Sequence, residues 1–168
     1  MRTPIIAGNW KMYKTVADTV RYVKEFRGLA KDIEGVEIVL AAPFTALHAA
    51  AEALRNSNVA VAAQDLHWER EGAFTGEVSA PMIHEAGAEY VIVGHSERRT
   101  LFGETDATVN RKANAAIAAG LVPIVCIGET LDQRDRSQTY PRSGDVKAAT
   151  LWLTRSPTTR SNFATILR

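Results

Sequence analysis

The residues best suited to chemistry lie in one short segment, residues 90–99. Four apolar residues, 90–93, are typical of a strand buried on both faces. A glycine and His95 follow, and Ser96 with Glu97 then predicts the start of a short helix. Because the positive end of that helix would lie beside the imidazole, the arrangement suits holding an anion or polarising a carbonyl group.

Further polar side chains follow another predicted strand. Asn9 and Lys11 come directly after the first apolar run of the chain. In parallel α/β folds the carboxyl ends of the strands meet at one rim, where functional residues gather. An amide, a cation, an imidazole and a carboxylate at that rim suit a phosphorylated carbonyl substrate. Lysine would offset the anionic charge, and histidine would stabilise an oxyanion.

Other residues of reactive type are expected to have structural rather than catalytic roles. A lone histidine is commonly a structural hydrogen-bond donor, and His48, His67 and His84 are given that role. Cys126 is expected to be a small buried apolar residue rather than a nucleophile. No G-x-G-x-x-G segment follows a strand and no G-x-x-x-x-G-K-[ST] segment occurs, so nucleotide binding has little support.

The elements that must position these residues alternate along the chain. Five short apolar runs predict buried strands, and amphipathic helical patterns lie between them. The predicted strands are residues 4–7, 37–42, 59–63, 90–93 and 121–127. Helices are predicted to begin near Thr15, Thr45, Ser79 and Thr105. This alternation predicts parallel βαβ units and therefore an α/β fold.

Composition limits the class of protein. With 168 residues, of which 46% are hydrophobic and 23% charged, the chain is expected to be globular. A net charge of +1 gives no support for a nucleic-acid partner. The single cysteine excludes an internal disulfide and favours a reducing compartment. No long apolar run and no secretory leader are visible, so we expect a cytoplasmic protein without a membrane partner.

The composition changes near residue 134. Residues 1–133 carry 13 Lys and Arg against 17 Asp and Glu, whereas residues 134–168 carry 7 against 2. The second segment shows no convincing βα unit, so it is predicted to be irregular and poorly ordered. We therefore predict an α/β part, residues 1–134, and a tail of different character, residues 135–168. A change of reading frame and a genuine alternative C-terminus are both open explanations of the tail.

Five motifs in the first 134 residues resemble one known family. They are A-G-N-W-K-M at 7–12, A-A-Q-D at 62–65, G-A-F-T-G-E at 72–77, V-G-H-S-E-R-R at 93–99 and C-I-G-E-T at 126–130. In this order and spacing they are similar to triosephosphate isomerase. The resemblance implies part of a (β/α)8 TIM barrel, with about five of its βα units. It also implies an isomerase of glycolysis and gluconeogenesis that interconverts dihydroxyacetone phosphate and glyceraldehyde 3-phosphate by proton transfer, without metal or organic cofactor.

The resemblance further implies roles for single residues. Asn9 and Lys11 would bind the substrate phosphate, and His95 would polarise its carbonyl group. Glu97 would support Lys11 and the histidine loop, so catalytic roles fall on His95, Lys11 and Glu97. In this family a neutral histidine, its pKa lowered by a helix N-terminus, acts together with a glutamate base.

A homodimer is implied in the same way. The loop around Thr75 would insert into the neighbouring subunit. Three charged residues would support that contact, namely Glu77, Arg98 and Glu104.

The tail departs from the family pattern. The glutamate base of the family lies in an Ala-Tyr-Glu-Pro segment after the sixth strand, and no glutamate follows Glu129 in this chain. The mobile lid and the glycine-rich phosphate turns are not found either. Asp135 and Asp145 are the tail's carboxylates, and neither follows a recognisable strand. Because a base must lie within hydrogen-bond reach of its proton, we predict that this chain alone is inactive.

One further consequence and two alternative functions follow. Five strands would leave two hydrophobic sheet edges open, which predicts a poorly stable monomer that self-associates or aggregates. One alternative function is an interaction protein that docks on full-length subunits through the Thr75 loop and residues 95–104. The other is a phosphate-binding module that keeps Asn9 and Lys11 but performs no reaction.

Overall fold

The computed structural model describes residues 3–128 and the backbone of residues 150–153 and 163–165. Strands and helices alternate along residues 3–128, as the sequence predicts. The elements are β1 Ile5–Asn9, α1 Val16–Ala30, β2 Glu37–Ala42, α2 Phe44–Leu54, β3 Val59–Ala63, α3 Ala80–Glu85, β4 Tyr90–Val93, α4 Ser96–Phe102, α5 Asp106–Ala118, β5 Val122–Val125, β6 Thr150–Leu153 and β7 Phe163–Thr165. The prediction of an α/β fold built on five parallel strands is confirmed. A helix after β5 and the predicted boundary at residue 134 fall outside the described residues.

The strands form one closed sheet in chain order. Each of the pairs from β1–β2 to β4–β5 is parallel. β6 runs antiparallel to both β5 and β7, and β7 pairs with β1. The prediction of two open sheet edges is therefore wrong, because β6 and β7 occupy the free edges of β5 and β1. The tail, expected to be irregular, contains these two short strands.

The apolar residues divide between two cores because neighbouring side chains of a strand point to opposite faces. One core is drawn from the strands alone, which places it inside the barrel; it comprises Ile5, Ala7, Val39, Ala41, Ala62, Tyr90, Ile92 and Ile124. The other core lies between the sheet and the helices, where Leu40, Val61 and Val93 pack with Val23 and Leu47. A sheet held on both faces fixes the rim at the carboxyl ends of its strands.

Two helices begin with reciprocal caps. The Thr15 hydroxyl accepts from the backbone N–H of Asp18, and the Asp18 carboxylate accepts from the backbone N–H of Thr15. Thr105 and Thr108 make the same exchange at the start of α5. Both caps satisfy backbone donors that a helix start otherwise leaves unpaired. They confirm the starts that the sequence predicts near Thr15 and Thr105.

Candidate active site

The candidate site lies at the rim where the parallel strands end. Lys11 follows β1 by two residues, and its Nζ donates to Glu97 Oε1 at 2.6 Å. The two side chains are about half exposed, at 50% and 45%. The hydrogen bond from Lys11 holds the pKa of Glu97 below its usual value. Glu97 is thus an anion that fixes the position of the Lys11 ammonium group.

The backbone at Lys11 has an unusual conformation that neighbouring amides hold in place. Its φ of 52° lies in the left-handed region, which is uncommon for a residue other than glycine. Asn9 Oδ1 accepts from the Lys11 backbone N–H at 2.9 Å. Gln64 Nε2 donates to the Lys11 carbonyl oxygen at 2.8 Å and to Asn9 Oδ1 at 3.3 Å. Asn9 and Gln64 therefore stabilise the turn that presents the lysine.

Gln64 is a site residue to which sequence reasoning gave no role. Its only sequence signal is its place directly after β3, within the A-A-Q-D motif. Its Nε2 also lies 3.1 Å from the carbonyl oxygen of Ala41, at the end of β2. One side chain thus connects the ends of three neighbouring strands.

His95 is itself the cap of α4. The helix begins at Ser96, as predicted, but the capping group is the His95 imidazole, whose Nδ1 accepts from the Glu97 backbone N–H at 3.2 Å. Since Nδ1 is an acceptor, the proton of the neutral ring lies on Nε2, which is then a hydrogen-bond donor.

The surroundings of His95 favour the neutral ring. Burial lowers the pKa of His95, the Lys11 cation lowers it further, and the Glu97 carboxylate opposes them without reversing the direction. The side chain is 19% exposed. His95 can therefore donate from Nε2 to a ligand oxygen at neutral pH.

A network of four charged side chains supports the residues after β4. Arg98 Nε donates to Glu104 Oε1 at 2.7 Å and lies 2.8 Å from Asp65 Oδ2. Lys112 Nζ lies 2.6 Å from Asp65 Oδ1 and also contacts Glu104. Burial raises the pKa of Asp65, whereas in Glu104 the bonds from Lys112 and Arg98 outweigh burial and lower the pKa. Sequence reasoning grouped Arg98 and Glu104 as supports of a subunit contact and gave no role to Asp65 or Lys112.

The predicted dimer loop is exposed. Thr75 and Glu77 both lie on the surface, in a loop whose Gly72 and Gly76 have positive φ angles of 145° and 91°. The Phe74 ring packs on His67, with 4.2 Å between the ring centres. The structure does not bring Thr75 or Glu77 to Lys11 and His95. Their dimer roles stay predictions.

The other candidate residues named from the sequence lie in surroundings that favour structural roles. His67 is largely buried, and its Nδ1 accepts from the Glu69 backbone N–H at 3.2 Å. Burial raises the pKa of Cys126 to about 12, so its thiol is protonated at neutral pH and is a poor nucleophile. In the described part of the chain, no three His, Cys, Asp or Glu side chains cluster as metal ligands. No described helix is long and apolar enough to span a membrane.

The fold and the site define an α/β barrel with a polar site at the carboxyl ends of its strands. The profile of the family "Triosephosphate isomerase" matches residues 4–151, past the boundary placed near residue 134. The triosephosphate isomerase of Pelobacter propionicus is 52% identical over 151 residues, covering 90% of this chain and 60% of that protein. That of Alkaliphilus metalliredigens is 54% identical over 140 residues, covering 83% and 56%.

A solved structure agrees with these relatives. The crystal structure of triosephosphate isomerase from Bartonella henselae superposes with a TM-score of 0.73 at 40% identity. The superposition covers 82% of this chain and 56% of the other. This chain belongs to the triosephosphate isomerase family, and it spans 56% to 60% of the length of these curated relatives.

Proposed function

We propose that the rim formed by Asn9, Lys11 and His95 binds a triose phosphate. The observation that carries the proposal is the linkage of these groups through Glu97. Its carboxylate holds the Lys11 ammonium at 2.6 Å, while its backbone N–H holds His95 Nδ1 at 3.2 Å. Cation and neutral donor thus have fixed positions relative to each other, which is what an anionic carbonyl compound needs.

Each group has one task in this proposal. The half-exposed Lys11 ammonium offsets the charge of the substrate phosphate. The His95 Nε2–H donates to the substrate carbonyl oxygen and stabilises the negative charge that develops there when the neighbouring carbon loses its proton. In the family's reaction, that proton moves between adjacent carbons and interconverts dihydroxyacetone phosphate and glyceraldehyde 3-phosphate.

The proton transfer also needs a base, and we propose that these 168 residues do not supply it. The Glu97 carboxylate accepts a hydrogen bond from Lys11, and the Glu97 backbone N–H donates to His95. Glu129 is the last glutamate of the sequence and directly follows the described range. We therefore propose a chain that binds substrate and polarises its carbonyl but does not turn it over alone.

Binding and turnover are tested separately. Calorimetric titration with 2-phosphoglycolate, which carries a phosphate and a carboxylate, should give saturable binding that Lys11→Gln weakens at least tenfold. Arg111→Gln makes the same charge change on the exposed side of α5 and should leave the affinity unchanged. Equal affinity for the Lys11→Gln variant would exclude the proposed site. A coupled assay with glyceraldehyde 3-phosphate should show no turnover. Full activity would refute the proposal that these residues lack the base.

A second candidate function rests on exposed apolar side chains beside the site. Met12 and Tyr13 are 94% and 73% exposed, and Leu101 and Phe102 on α4 are 72% and 67% exposed. Since the Lys11–Glu97 ion pair joins the two segments, we infer that these side chains form one surface face. We propose that this face and the Thr75 loop pair with another subunit of the family, as in a homodimer.

Pairing is tested by co-purification with a tagged full-length homologue. Thr75→Arg should remove the partner because it places a charge in the loop that inserts. Arg111→Gln is the control that should retain it. Capture that is equal for both variants would exclude the loop from the contact.

A further inference from the structure

A groove of about 400 Å³ lies between α1 and the turn before β3. Residues 56–58 of that turn line one side, and Lys24, Arg27 and Gly28 of α1 with its C-cap residue Lys31 line the other. Because the turn precedes β3 whereas His95 follows β4, the groove lies at the opposite end of the parallel sheet from the candidate active site. Its volume is typical of sites for small molecules.

The groove is strongly positive. Lys24, Arg27 and Lys31 are spaced by three and four residues, which places them along one face of the helix. Among the residues that the structure describes, no carboxylate lines the groove and none lies within 4 Å of the Lys24 or Arg27 charge. Lys31 approaches Asp32 at 3.9 Å, and both of these side chains are exposed. Three cations therefore line one groove, and few negative charges lie near them.

Stabilisation of the helix end does not account for all three cations. Cations near a helix C-terminus commonly interact with its unpaired carbonyl groups. Here Asn58 Nδ2 donates to the carbonyl oxygens of Ala30 and Ile33, at 2.7 and 3.1 Å. Arg27 makes one long bond, 3.5 Å, to the carbonyl oxygen of Ala53. The asparagine thus satisfies the last carbonyl of α1, and most donors of the cations stay available.

Gly28 keeps the groove open. It lies inside α1, where glycine destabilises a helix relative to alanine. A Cβ atom added at Gly28 would meet no heavy atom within 4 Å, so no neighbouring group requires a glycine here. A larger side chain would instead extend into the groove.

We propose that this groove binds a small anion with two or more linked phosphate groups. Three cations along about two turns of helix match a linear polyphosphate better than a single phosphate, which could contact fewer of them. None of the described lining residues is aromatic, so the phosphate chain rather than an attached base would be recognised. The proposal is independent of the function proposed for the rim at His95.

Titration of the full chain with inorganic tripolyphosphate tests the groove. Binding should be saturable, tighter than for orthophosphate, and weakened about three- to fivefold by Lys24→Gln or Arg27→Gln, as for exposed ionic contacts. Gly28→Leu retains every charge but fills the groove, so it should abolish binding while raising the thermal midpoint through better helix propensity. Attraction by the surface charge alone, without use of the groove, would leave the affinity of that variant unchanged.

Two controls locate the binding. Lys11→Gln should leave tripolyphosphate affinity unchanged, because the ligand does not use the rim site. Arg111→Gln should also leave it unchanged, because it removes a charge outside the groove. The proposal is overturned by absent binding, by loss with Lys11→Gln, by unchanged affinity in either the Gly28→Leu or the Arg27→Gln variant, or by an equal loss with Arg111→Gln, which would indicate unspecific attraction.

Discussion

Gln64 donates a hydrogen bond to the backbone carbonyl of Lys11 across 2.8 Å, joining the end of β3 to the turn after β1. The Lys11 backbone that accepts this bond has a left-handed conformation, with φ of 52°. Such a conformation costs free energy in a residue with a side chain, and surrounding bonds must hold it. Gln64 is thus a positioning residue for the lysine.

Gln64→Leu should weaken 2-phosphoglycolate binding about tenfold, because small displacements of a binding group have large effects. The measurement is the dissociation constant at fixed salt, together with the thermal midpoint. Gln64→Glu keeps the length of the side chain but replaces the donor by an acceptor, so it should weaken binding at least as much. Unchanged affinity in both variants would show that Asn9 alone holds the turn.

The lowered pKa of His95 predicts a dependence of stability on pH. The unfolded chain takes up a proton near pH 6.5, whereas the folded state resists protonation because His95 is partly buried. The unfolded state therefore binds more protons below about pH 6.5, and the free energy of unfolding should fall as the pH drops through that region.

His95→Gln should make that fall shallower, since glutamine does not titrate. Urea denaturation of both proteins between about pH 5 and 7.5 measures the difference. Nitrogen-15 NMR of the imidazole gives the second check, with the proton expected on Nε2. A His95 pKa above 6.5 would contradict the inference.

Much of the fold could be predicted from local patterns. β2, β3 and β4 have the bounds that the apolar runs indicate, since a strand buried on both faces is apolar throughout. β6 and β7 could not be predicted, because they are short and owe their place to pairing with β5 and β1, which are distant in the sequence. The local sequence of a short segment does not show with which distant strand it pairs.

The site shows the same division. Asn9, Lys11 and His95 follow predicted strands, so the parallel topology alone places them at one rim. Gln64 acts through bonds to backbone atoms, and no local pattern indicates those. Lys112 is charged, which favours an exposed position, yet it is 4% exposed because two carboxylates surround its ammonium group.

Removing Lys112 should strongly destabilise the chain. Lys112→Met would leave Asp65 and Glu104 buried beside each other with Arg98 as their remaining partner. Removal of one member of a buried ion network costs about 3 kcal/mol or more.

The measurement for Lys112→Met is the free energy of unfolding in urea. Arg111→Gln, one position earlier and exposed, should stay within about 0.5 kcal/mol of the parent chain. Similar losses for the two variants would show that the network contributes little.

Closure of the barrel by β6 and β7 leads to a prediction about association between molecules. β7 pairs with Ile5 and Ile6 of β1, and β6 pairs with Ile124 and Val125 of β5. A chain ending at residue 134 would expose the hydrogen-bonding groups of both strands, and open apolar edges favour association between molecules. Such a chain should therefore form larger species than the 168-residue chain at equal concentration, measured by size exclusion with light scattering. If the shortened chain were as monodisperse as the full one, closure by β6 and β7 would have no role in protecting the sheet.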